Sequence, residues 1–213
     1  MSAEKLSFDA FGRYLPQGTL DKVKPWFQQY TIKLIITRER KTVLGNYRQP
    51  VKTAPFHRVT VNGNLNPYSF LITLLHELAH LEAFVRYHNR IAPHGKEWQD
   101  IFRNILSGYL GQGIFPPALE QAINTSLQGL KASSCADPAL YKALALYDEP
   151  GTDGLVWVEQ LPANAQFVTK EGRVYQLLHK RRTRYLCRDL QTQRDYLFAG
   201  VVQVKPLGQE SSN

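Results

Sequence analysis

The chain has 213 residues, 26 Lys and Arg against 18 Asp and Glu, a formal net charge of +8 and two cysteines. Its 43% hydrophobic content suits a packed core. No run approaches the roughly 18 uncharged apolar residues of a membrane span, and the N-terminal Met1-Ser2-Ala3-Glu4-Lys5 opens no apolar signal core. These features argue against membrane and disulfide-stapled secreted classes. They predict a cytoplasmic, reducing location and favour acidic partners, nucleic acid first.

In chain order, residues 5–30 read as one or two amphipathic helices broken near Pro16-Gln17-Gly18. Thr31 to Thr37 is a strand by its β-branched content, and Arg38 to Tyr47 turns through Gly45 into a second, short strand. Val51 to Phe56 reads as loop and Arg58 to Val61 as a third strand. Asn66-Pro67 then signals a helix start, Asn as N-cap and Pro in the first turn. Phe70, Leu71, Leu74, Leu75, Leu78, Leu81 and Val85 follow at helical spacing to an end near Asn89-Arg90. Pro93 prevents simple continuation, and a further helix opens at His94-Gly95 with Trp98, Ile101, Phe102, Ile105 and Leu106 on one face. Gly108 to Pro117 is a breaker-rich connection, Ala118 to Leu130 another helix, followed by a polar loop and a turn at 148–154. From Leu155, short alternating segments at 156–158, 166–168, 173–178, 183–187 and 195–198 predict a small antiparallel β-module, and residues 208–213 a frayed tail.

The first long helix carries His76-Glu77-Leu78-Ala79-His80. Residues four apart share a helix face, so His76 and His80 can present imidazoles to one ion while Glu77 reaches a water beside it. Such H-E-x-x-H spacing is that of a zinc hydrolase, with Glu77 as general base. A catalytic zinc takes three protein ligands and keeps one open position. His88 lies eight residues past His80, about 12 Å along the axis, too far to share the ion. His94, opening the next helix, is the expected third ligand, with Glu97 as the alternative. Ala83 and Arg86 exclude the longer pattern with its third histidine on the same helix.

His76-Glu77-Leu78-Ala79-His80 followed by His94-Gly95-Lys96-Glu97-Trp98 resembles the SprT family of zinc metalloproteases, as do Arg40 to Arg48 and His57 to Asn62. The resemblance covers about residues 5–110. It implies an α+β fold with a zincin-like metalloprotease domain at 1–130, a small sheet beside the H-E-x-x-H helix, and one catalytic zinc on His76, His80 and His94. It also implies a protein substrate that is DNA-bound or crosslinked to DNA, the DNA single-stranded or at a junction. SprT domains often end in a zinc ribbon of two C-x-x-C pairs. Here Cys135 and Cys187 stand alone, so a four-cysteine site cannot form, and residues 131–207 are expected to be a β-module resembling a degenerate ribbon. A mixed site of Cys135, Cys187 and His179 matches no common zinc spacing.

Residues 170–188 hold seven Lys and Arg against one acid, Glu171. Lys180, Arg181, Arg182, Arg184 and Arg188 could bind phosphates, with Tyr175 and Tyr185 stacking on bases. The same tyrosines could instead be core residues of strands whose other face is basic. The rival functional reading is therefore a nucleic-acid-binding or transcription-associated factor with a vestigial zinc site. A third is a zinc hydrolase acting on something other than protein.

Overall fold

The computed structural model describes residues 8–40, 43–129, 137–148 and 154–208. Its N-terminal part is short helix α1 (Phe8–Phe11) and, after the break at Pro16-Gln17-Gly18, α2 (Leu20–Gln29). The β-branched run that follows forms β1 (Ile32–Thr37), with β2 (Gly45–Arg48) and β3 (His57–Asn62) completing a three-stranded sheet in the order β1-β3-β2. β3 runs parallel to β1 and antiparallel to β2, so β2 is an edge strand. Val59 and Val61 share one face of β3 and are fully buried, while Arg58 on the other face is exposed. Arg40 ties the approach to β2 onto the sheet, donating to Asn62 Oδ1 at 2.8 Å and Thr60 Oγ1 at 3.1 Å.

Against the apolar face packs α3 (Pro67–Tyr87). Its cap is the one the sequence announces: Asn66 Oδ1 accepts from Ser69 N at 2.9 Å. This helix is buried nearly all round, from Phe70 through Leu75 and again at Leu78, Ala79, Leu81 and Ala83, which marks it as the centre of the unit rather than a surface helix. It ends at Tyr87, slightly before the expected end, because His88 turns to φ 53°. α4 (Lys96–Ser107) crosses it with Trp98, Ile101, Phe102 and Leu106 buried, and α5 (Pro117–Gln128) adds Leu119, Ile123 and Leu127.

Where a polar loop was expected, part of the chain forms α6 (Pro138–Ala145), capped by Asp137. Leu140 enters the first core, and Asn66 Nδ2 donates to Leu144 O at 3.0 Å and Asp148 Oδ1 at 2.7 Å. These bonds carry the first unit to residue 148, so the boundary falls after 148 and not at 130. The loop at 131–136, Cys135 within it, the turn at 149–153 and the tail at 209–213 lie outside the described residues.

The second unit, residues 149–213, is a six-stranded sheet, each neighbouring pair antiparallel. Its strands are β4 (Val156–Trp157), β5 (Gln166–Val168), β6 (Val174–Arg181), β7 (Arg184–Asp189), β8 (Asp195–Ala199) and β9 (Gln203–Leu207), in the order β4-β9-β5-β6-β7-β8. Strand β9 was not foreseen. Its Pro206 has no N–H to give, but it stands where only β5 pairs with the strand, β4 having ended at Gln203 and Val204. Val158, Phe167, Tyr175, Leu177, Cys187 and Val204 form the core. The protein is thus mixed α+β, and among the described residues no helix is long and apolar enough to cross a membrane.

Candidate metal centre

Helical spacing puts His76 and His80 on one face of α3, and the turn after α3 brings His94 back over them. The three Nε2 atoms stand 3.2 Å (His76–His80), 3.0 Å (His80–His94) and 3.2 Å (His76–His94) apart. Two nitrogens bound tetrahedrally to one zinc at 2.0–2.1 Å would lie about 3.3 Å apart, so the triangle fits such an ion. Among the described residues this is the only group of three His, Cys, Asp or Glu side chains close enough to share a metal.

His94 reaches this position through a left-handed backbone, φ 58°, followed by Gly95 as the N-cap of α4. That conformation is strained for a non-glycine residue and survives where the surroundings impose it, often at functional sites. Gly95 N donates to Ala92 O, and Gln99 Nε2 to His94 O, both at 2.9 Å, which fixes the turn. A Cβ on Gly95 would stand 3.0 Å from Ala92 O, so the tight turn favours glycine there.

Trp98 forms the wall of the site, its ring centroid 4.7, 5.0 and 4.6 Å from those of His76, His80 and His94, and stacked on Phe102. Removal from water pushes the imidazoles down, His76 to about 3 and His80 to about 4, with the neighbouring rings adding to the effect; burial also lowers His94. All three are therefore held neutral at physiological pH, the form that ligates metals.

Glu77 is 5% exposed, an unusual burial for a carboxylate. Burial drives its carboxyl up to about 8, against the opposing pull of Arg40 and of the Tyr47 backbone hydrogen bond. Its seat is cut into edge strand β2. A Cβ on Gly45 would stand 2.5 Å from Glu77 Oε1 and 2.8 Å from Thr73 Cγ2. Gly45 is the site residue that sequence reasoning saw only as a turn, because its partner lies 32 positions away and no local pattern links them. Gly45→Ala is expected to displace Glu77 or the strand and lower stability by about 1–3 kcal/mol, as overpacking does. A denaturation midpoint equal to the wild type's would show that Gly45 is not needed there.

Among the described residues, other Glu, His and Cys side chains do not join the group. Glu97, the alternative third ligand, is exposed in the first turn of α4, outside the triangle. His57 Nδ1 is bonded to the Tyr47 hydroxyl at 2.9 Å. In the second unit Cys187 is fully buried, its thiol pushed up to about 11 by burial, whereas His179 is exposed. A thiol so held is inert rather than a ready ligand.

In the basic run, Lys180, Arg181, Arg182 and Arg184 are exposed around the two-residue turn between β6 and β7, with Arg182 at φ 52°. Lys180 Nζ lies 5.5 Å over the Tyr185 ring, and Arg188 is engaged with Asp195 at 2.8 Å. Tyr175, left open between base stacking and strand core, is 6% exposed and packs on Phe167 and Phe198, while Tyr185 is half-buried against the same core. Of the two readings open for Tyr175 the core one holds, because alternation along β6 turns it inward.

The convergence of H-E-x-x-H and a third histidine from the next helix defines a candidate three-histidine metal site with a buried acid beside it. The family model that matches is that of the SprT-like family, over residues 23–115, so this stretch of the chain is similar to SprT-like domains, which are zinc metalloprotease-like. Comparisons with curated proteins and with solved structures return no match.

Proposed function

We propose that the protein is a zinc-dependent metallopeptidase with a zincin-like catalytic domain, and that it acts on DNA-bound or DNA-crosslinked proteins. The observation that carries the reading is Glu77, a buried carboxyl next in sequence to His76, whose imidazole nitrogen converges with those of His80 and His94. A purely structural metal site has no need of such a group.

His76, His80 and His94 would hold the ion. Zinc bound there supplies Lewis acidity that polarises a carbonyl and acidifies water. A nearby cation also favours the ionised form of Glu77, which a base requires. Glu77 then takes a proton from the water attacking the scissile carbonyl and passes it to the amide nitrogen as the C–N bond breaks. The Tyr47 backbone hydrogen bond and the gap left by Gly45 orient its carboxylate. Trp98 and Phe102 keep bulk water from one side of the imidazoles. The test is digestion of an unstructured polypeptide by zinc-loaded protein. Cleavage should stop with a chelator and return with zinc. A fully loaded protein that cuts nothing would move the reading to a hydrolase of other substrates or to a binding factor.

The second unit stands where related proteases carry a zinc ribbon, and in this reading it works without one. The exposed tip of the β6–β7 hairpin supports contact with DNA phosphates, and equally supports the rival reading of a nucleic-acid-binding factor with a vestigial zinc site. Replacing Arg181, Arg182 and Arg184 together by Ala should weaken binding of a single-stranded oligonucleotide and reduce the log–log salt slope by about 2, at roughly 0.7 per lost phosphate contact. An unchanged slope in a salt titration would remove this surface from consideration.

A further inference from the structure

Lys33 of β1 pairs with Arg58 of β3, and Arg58 pairs with Arg48 of β2. Three cations therefore stand in one row across the first sheet. Directly opposed residues have Cβ atoms about 4.5–5.5 Å apart, where like charges repel. All three are exposed, and no ion pair among the described residues joins any of them to a carboxylate. A row so uncompensated is costly to the fold and complementary to an anion.

The same three residues line a cavity of about 960 Å³ that reaches His80 and Trp98 and has no Asp or Glu in its wall. The rest of that wall is largely apolar, with Ile35, Phe56, Phe84 and Ile91. Lys33 Nζ lies 5.3 Å over the Phe56 ring, so one of the cations borders the apolar wall. Trp98 Nε1 is buried without a hydrogen-bond partner. Buried donors are rarely left so, and this one belongs to a residue lining the cavity.

We propose that this cavity is the subsite by which the protein selects polypeptides. An apolar side chain enters beside Phe56, Phe84 and Ile91, and carboxylates next to it in the substrate lie along Lys33, Arg58 and Arg48. The inference rests on the peptidase reading for the substrate's approach to His80. Edge strand β2 leaves one side unpaired for an extended chain to lie along. A nucleic-acid strand would find the cations but not a stacking platform, because Lys33 covers the Phe56 ring.

The test uses three fluorescent peptides, each with a central Phe flanked by Glu, Gln or Lys, with zinc-loaded wild type and the double variant Arg48→Glu/Arg58→Glu. The reversal turns the Lys33–Arg58 repulsion into an attraction and leaves positions 48 and 58 of like sign as before, so the variant should melt no lower than wild type. Wild type should favour the Glu peptide over the Lys peptide about tenfold in kcat/KM, and the double variant should reverse the order. Equal handling by wild type, or a preference that survives in the variant, would overturn the proposal. Anisotropy with zinc-loaded Glu77→Gln protein, with and without the two charge reversals, reads binding apart from turnover. Preferential binding with no cleavage by wild type would keep the subsite and remove the peptidase, whereas cleavage without preference would do the opposite. A poly-dT oligonucleotide that displaces the Glu peptide, and itself loses more affinity than the peptide on charge reversal, would make the row a phosphate surface and overturn the proposal.

Discussion

Glu77→Gln should bind one zinc per chain and lose about 10³-fold in peptide hydrolysis, within the range that general acid–base catalysis supplies. The amide keeps the carboxylate's shape and can still accept a hydrogen bond from the Tyr47 backbone, but it cannot take a proton from water. The same substitution has a signature in the metal-free protein. The Glu77 carboxyl is raised from 4.5 to about 8 in the fold, so folding favours its protonated form. Its contribution to stability is complete below pH 4.5 and is lost as pH rises through about 8. Metal-free wild type should therefore lose stability across that window relative to Glu77→Gln, which has no charge to bury. Thermal melts of the two proteins in parallel would show it. Retained hydrolysis in the variant would remove Glu77 as the base.

His94→Ala should weaken zinc binding by about two to three orders of magnitude, since loss of supporting groups alone commonly costs 10–100-fold. It should abolish hydrolysis at limiting zinc. Position 94 has φ 58°, so Ala adds backbone strain to the loss of a ligand. His94→Asn separates the two effects, because Asn tolerates the left-handed region and is a poor zinc ligand. Stability should return in the Asn variant while zinc affinity stays low in a competitive chelator titration. Zinc affinity equal to wild type in both variants would exclude His94 from the centre.

Much of the candidate site was legible because its signals are local. His76, Glu77 and His80 sit in one helical turn, and the Asn66 cap fixes the helix that carries them. His94 was legible because Pro93 and Gly95 announce a break just where a third imidazole is needed. The seat of Glu77 was not legible: the contact between Gly45 and Glu77 is made by strand-on-helix packing, to which helical spacing says nothing. The cation row was hidden for the same reason, since Lys33, Arg48 and Arg58 become neighbours only through strand register. In the second unit, Pro206 masked β9, whereas the inward face of β6, where Tyr175 is core, was one of two readings that composition alone could not separate. Helix α6 did carry a readable start in Asp137-Pro138, obscured by the polar residues before it.

Zinc-edge X-ray absorption on the zinc-loaded chain tests the central claim most directly. A zinc held by His76, His80 and His94 should show three imidazole nitrogens at about 2.0–2.1 Å, one exchangeable oxygen and no sulfur, with a nitrogen lost in His94→Ala. A zinc–sulfur distance near 2.3 Å, or a spectrum unchanged by His94→Ala, would place the metal elsewhere and contradict it.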